Sequence, residues 1–113
     1  MRLLGYLILP VVLTLTAVAF AQNRIEVKSR VTLKVGEKAV IHAFRGECGK
    51  LPTEIENWGE TTDLGITYLG KEGVRGSRSC GGDTPAYEVI FEAEEKGRET
   101  IRLFGDRIRI RVR

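Results

Sequence analysis

The chain has 113 residues, with 18 Lys and Arg against 15 Asp and Glu, a single His, two Cys and 13 Gly. That length holds one domain, and a composition of 42% hydrophobic and 29% charged residues excludes a disordered chain, a collagen-like repeat and a multi-span membrane protein. Dinucleotide-binding and barrel enzymes need far more chain, and one His beside two Cys offers little for nucleophilic or metal chemistry.

Residues 1–21 have the pattern of a secretory leader. Arg2 supplies the positive start, Leu3 to Phe20 form an apolar run interrupted by Pro10, and Ala19-Phe20-Ala21 is a small-x-small cleavage site. The competing reading is an uncleaved membrane anchor, because the run is nearly long enough to span a bilayer. Pro10, the polar Thr14 and Thr16 and the cleavage site favour removal, so the expected mature domain is 22–113, secreted or periplasmic, without a membrane span. No Cys follows the run, which argues against lipid modification. The mature domain keeps only a small positive charge, too little to name a partner. In an oxidising compartment Cys48 and Cys80 read as one disulfide, worth roughly 3 to 4 kcal/mol in the chain-entropy account. The alternative is a catalytic or metal-binding pair, to which His42 adds at most one nitrogen.

Beyond Gln22 the hydrophobic period is two. Val31, Leu33 and Val35 alternate with Thr32 and Lys34, Gly36-Glu37 marks a turn, and Lys38 to Phe44 is a second strand. Gly46 to Thr53 reads as loop, Glu54 to Trp58 and Gly65 to Leu69 as short strands, and Gly70 to Pro85, with its five glycines, as one long irregular connection tied near its end by Cys80. Tyr87, Val89, Phe91 and Ala93 alternate with polar neighbours, and Glu95-Lys96-Gly97 turns the chain into Thr100 to Phe104. A Gly105-Asp106 link then leads to Ile108, Ile110 and Val112, a hairpin signal resting on the positive φ that glycine supplies. Seven or so short strands without a helix predict an all-β, immunoglobulin-like antiparallel β-sandwich of about seven strands with one disulfide.

Val31-Thr-Leu-Lys-Val-Gly-Glu37 with Ala39, Ile41 and Ala43, and later Glu88-Val-Ile-Phe-Glu-Ala93 with Lys96-Gly97 and Glu99-Thr-Ile101, resemble bacterial immunoglobulin-like domains and the chagasin-like cysteine-protease inhibitors. The resemblance implies a fold. Those inhibitors meet the protease with an Asn-Pro-Thr-Thr-Gly loop, a Gly-rich loop and an Arg-Pro-Trp loop, where this chain has Gly46-Glu-Cys-Gly49, Gly73-Val-Arg-Gly76 or Gly81-Gly82, and Phe104-Gly-Asp-Arg107. No inhibitory residue carries over.

Two candidate surfaces follow. In an immunoglobulin-like frame Cys48 and Cys80 lie in loops gathered at one end, together with Arg45, Glu47, Lys50, Arg75, Arg78 and Asp83. Arg75 and Arg78 flank Gly76 and suit a carboxylate, phosphate or sulfate; the plain alternative is solvated charge around a stabilising bridge. The second surface is the last strand. With Ile108, Ile110 and Val112 inward, Arg107, Arg109, Arg111 and Arg113 face outward, joined by Arg102 and by Arg30 and Lys34. Such a face suits acidic polysaccharide, lipid head groups or an acidic protein; the plain alternative is protection of an edge strand. Nucleic acid is disfavoured, because no aromatic residues interleave with the charges. With Ala39, Ile41 and Ala43 inward, Val40, His42 and Phe44 form an outward apolar stripe with Ile90, a possible weak dimer surface on an otherwise monomeric domain. Trp58 reads as a core plug. Asp63, Asp83, Glu47 and Glu60 lack calcium-loop spacing, and no cofactor motif is present. The expected function is an exported, non-catalytic module recognising an anionic group or acidic partner. A divergent protease inhibitor and a small secreted hydrolase are the alternatives.

Overall fold

The computed structural model describes residues 23–53 and 58–113. The expected leader (1–21), the expected cleavage point before Gln22 and the segment 54–57, which holds most of one expected strand, lie outside the described residues. Seven strands follow one another: β1 (Arg30–Leu33), β2 (Lys38–Arg45), β3 (Gly59–Thr61), β4 (Gly65–Ser77), β5 (Gly82–Ala93), β6 (Gly97–Leu103) and β7 (Asp106–Val112). They build two sheets, β1-β7-β6 and β2-β5-β4-β3, so the chain is an all-β sandwich, as the period-two pattern predicts. All strand pairs are antiparallel except β1 with β7, which run parallel.

The inner faces meet in one core. Ile41, Val89, Phe91 and Ala93 of the four-stranded sheet pack with Val31, Leu33, Leu103, Ile108, Ile110 and Val112 of the three-stranded sheet and with Leu64. Gly65 is the tightest point, where β4 passes β5. A Cβ there would run into the Glu92 carbonyl oxygen and lie 2.9 Å from Phe91 Cζ. Both obstacles belong to a fixed strand, so Gly65→Ala is expected to destabilise the domain by about 1–3 kcal/mol, the usual cost of overpacking, read by denaturant unfolding.

The sequence expectation fails at Gly70 to Pro85, which is not an irregular connection. β4 and β5 run through it as one long hairpin, paired from Gly65↔Ala93 to Ser77↔Gly82 with a register shift between Leu69 and Glu72. Gly70 and Gly73 serve close approach, whereas Gly81 and Gly82, with φ of 75° and 151°, make the turn. A Cβ on Gly70 would meet Ile90 Cδ1 at 2.6 Å, and Gly73 lies under the Asn23 carbonyl and Ile25. The N-terminal segment is bound here: Val74 N–H donates to Asn23 O and Ile25 N–H to Val74 O, each at 2.8 Å. Val74 therefore asks nothing of its partner Pro85, which has no N–H to give. Ile25 is buried against Ala43 and Ala86 on the outer side of the four-stranded sheet.

Two further local expectations shift. The β6–β7 turn is Phe104-Gly105, one residue earlier than expected, with Leu103 paired to Asp106. Both turn residues have positive φ, 50° and 89°, as a type I′ turn requires. On β2 a bulge at Ile41 breaks the alternation, since Val40 pairs with Ile90 but His42 with Val89. The extra residue turns every later side chain to the other face. His42 is thus fully buried and Phe44 packs on the core, leaving only Val40 and Ile90 of the expected outward stripe.

A basic sheet face as the candidate functional site

At the loop end Cys48 and Cys80 are bridged, with Cα atoms 5.3 Å apart. The bridge joins the β2–β3 loop to the β4–β5 turn, and Gly49 N–H adds a 2.9 Å bond to Thr84 Oγ1. A disulfide is consistent with an oxidising compartment. The charges gathered there are largely spent on the protein itself. Arg45 donates to Ser77 Oγ, and Arg24 holds Asp83 through paired contacts, one of them 3.1 Å. That hydrogen bond, then the charge of Asp83, raises the Arg24 pKa further above its ordinary value. Arg75 sits on β4 opposite Thr84, 4.0 Å from Asp106 Oδ2, with only 26% of its side chain exposed. Arg78 and Lys50 lie exposed in turns. Asp83 pairs with Gly76, one position on from Arg75, so Asp83 and Arg75 point to opposite faces of the hairpin. The loop-end residues therefore do not converge on one point.

Between the loop end and the core lies a group that the sequence does not reveal. His42 Nε2 lies 2.8 Å from Asp106 Oδ2, to which it donates its N–H, and Nδ1 stands 2.7 Å from the Ala43 amide nitrogen and 3.0 Å from the Ala43 carbonyl oxygen. Phe104 covers this pair. Its ring lies 5.1 Å from His42 and 5.2 Å from Phe44 and stacks on Trp58 at 6.0 Å. This packing explains how a bulky residue is held at positive φ. Trp58 packs against the core from its rim, as expected of a plug. Asp106→Ala leaves a buried N–H without a partner and is expected to cost about 1–3 kcal/mol. Asp106→Asn, which keeps an acceptor oxygen, should recover most of it in thermal unfolding.

The outer face of β1-β7-β6 is of a different kind. Alternation along the strands presents Arg30 and Thr32 from β1, Arg107, Arg109 and Arg111 from β7, and Arg98, Thr100 and Arg102 from β6, all exposed. Register sets them in rows: Arg30, Arg109 and Thr100; Thr32, Arg111 and Arg98; then Arg107 with Arg102. No acidic side chain stands at these positions, and none of the arginines enters an ion pair among the described residues. The nearest carboxylate on β6, Glu99, accepts the Leu64 N–H at 2.8 Å instead. Two hollows flank the middle row. One of about 440 Å³ is bounded by Ser29, Arg30, Thr100, Arg107 and Arg109, and one of about 500 Å³ by Arg30, Thr32, Arg98, Thr100, Arg109 and Arg111, with Val31, Ile110 and Glu99, whose carboxylate is held by the Leu64 amide, also on its lining.

The expected outward set, Arg102, Arg107, Arg109 and Arg111 beside Arg30, is brought together here. Edge protection does not account for Arg107, Arg109 and Arg111, because β7 is the central strand, paired on both sides. Arg98 escapes the sequence reading, which starts β6 at Thr100; the strand begins at Gly97, and the alternation Arg98, Thr100, Arg102 is the signal that finds it. Among the described residues there is no group of three His, Cys, Asp or Glu placed to hold a metal ion, and no helix is long and apolar enough to cross a membrane. No protein-family model matches the chain, and no curated protein or solved structure is significantly similar to it.

Proposed function

We propose that this domain is an exported, non-catalytic binding module that holds an acidic polymer on the outer face of its three-stranded sheet. One observation carries the reading: Arg30, Arg98, Arg102, Arg107, Arg109 and Arg111 share that face with Thr32 and Thr100 and form no ion pair among the described residues. Like charges opposite one another weaken a sheet, so a face of this composition costs stability that an anionic ligand returns. Export is supported by the leader pattern of residues 1–21 and by the disulfide.

The loop end is the weaker candidate, since Arg45, Arg75 and Asp83 already have partners within the chain. Chromatography on immobilised heparin, a sulfated polymer, separates the two. Retention that falls steeply with salt and survives Arg75→Ala with Arg78→Ala supports the sheet face. Loss of retention in that double variant moves the site to the loop end, and absence of retention at low salt overturns the reading.

A further inference from the structure

We infer that the ligand is an acidic polysaccharide, bearing sulfate or carboxylate groups, that lies lengthwise along β7 with one anion in each of the two hollows. The inference rests on the sheet-face reading and adds the ligand's class and its direction.

Direction follows from the hollows. Both are bounded by the row Arg30, Arg109, Thr100; one opens toward Arg107 and the other toward Arg111. They succeed each other along β7 by two residues, about 7 Å at the rise of an extended strand. A small anion can fill one hollow, but only a chain with anions at about that interval fills both. The second contact is then intramolecular, and affinity rises without any new kind of contact. Across the sheet the face is only three strands wide, which leaves the β7 direction as the long one.

Class follows from what accompanies the charge. Thr100 borders both hollows, with Ser29 at one and Thr32 at the other. Guanidinium forks pair with sulfate and carboxylate, and hydroxyls beside them can exchange hydrogen bonds with the hydroxyls of a sugar. No aromatic side chain stands on the face to stack a base. The exposed large apolar residues, Val27, Val35 and Phe104, are not among its outward positions, so nothing there is placed to enter a bilayer.

The test is a calorimetric series on residues 22–113 with inorganic sulfate, a heparin disaccharide, a heparin octasaccharide, polyphosphate and vesicles rich in phosphatidylglycerol. The octasaccharide is expected to bind at least about tenfold more tightly than the disaccharide. Arg107→Thr, and Arg98→Thr with Arg111→Thr, each removing the arginines that one hollow does not share with the other, should each remove that advantage while leaving disaccharide affinity within a few-fold. Thr100→Val, isosteric and compatible with a strand, should weaken the octasaccharide several-fold and leave polyphosphate unchanged. Equal affinity for disaccharide and octasaccharide, preference for vesicles, or indifference to Thr100→Val would each overturn this inference with the sheet-face reading intact. Failure of every probe to bind would overturn both.

Discussion

Threonine in place of both Arg109 and Arg111 is expected to lower affinity for a sulfated polymer by tenfold or more without destabilising the domain. Each guanidinium bordering a hollow offers charge-assisted hydrogen bonds to an anion. Taking about 1 kcal/mol for each at this exposure, the pair accounts for about 2 kcal/mol, where 1.4 kcal/mol is a factor of ten. Stability should move the other way. Arg109 stands beside Arg30 and Arg111 beside Arg98, and each replacement removes a like-charged cross-strand pair, a contact unfavourable by up to about 1 kcal/mol. Threonine also suits a strand. Parent and variant are compared by thermal unfolding, with and without polymer. The parent should gain stability on adding polymer, as any ligand of the native state produces, and the variant should gain little.

Replacing Cys48 and Cys80 together with alanine is expected to cost about 3–4 kcal/mol, the largest stability effect in the molecule after core truncation. The bridge spans 32 positions of sequence and closes the β2–β3 loop on the β4–β5 turn, where otherwise the Gly49–Thr84 bond and the Arg45–Ser77 contact hold the two together. A domain of this size has a small core, so that constraint is a large part of its net stability. The proposed polymer face should be unaffected. β1, β6 and β7 belong to the other sheet, and the folded double variant should bind heparin as the parent does. A loss of less than about 1 kcal/mol in denaturant unfolding would show that the loops are ordered without the bridge, since the entropic account assigns it more.

The parts of this fold legible in the sequence are those where one rule acts alone. β7 alternates without interruption from Arg107 to Val112, so both its inner residues and its outward arginines can be read directly. The disulfide follows from an even cysteine count behind a segment with the pattern of a leader. The illegible parts are those where a second constraint overrides the pattern. Gly70, Gly73 and Pro85 look like loop residues because glycine and proline usually are; here they admit Ile90, the Asn23–Ile25 segment and a strand pair that exchanges no bonds. The bulge at Ile41 reverses the faces of β2, and no local signal announces it. That reversal buries His42 beside Asp106, sixty-four positions away, a pairing only the tertiary structure reveals. Arg98 was legible in principle, two residues before the start assigned to β6 and so on the same face as Thr100.

The charge arithmetic hid the site. A net charge of +3 over 113 residues suggests nothing, because the acids are spent elsewhere: Asp83 on Arg24, Glu99 on the Leu64 amide, Glu88 on Asn23, Glu37 on the Lys34 amide. What distinguishes the outer face of β1-β7-β6 is segregation of charge. Only the register that sets β1 parallel to β7, and β6 antiparallel to it, brings the arginines of three strands into common rows.

The most direct test is a nuclear magnetic resonance titration of the isotope-labelled domain, residues 22–113, with a heparin octasaccharide, following backbone amides and arginine side chains together. Shifts confined to Arg30, Thr32, Arg98, Thr100, Arg102, Arg107, Arg109 and Arg111 and their immediate neighbours, suppressed by salt, are the predicted result. Shifts centred on Arg45, Lys50, Arg75, Arg78 and Asp83, with the β7 arginines unmoved, would contradict it.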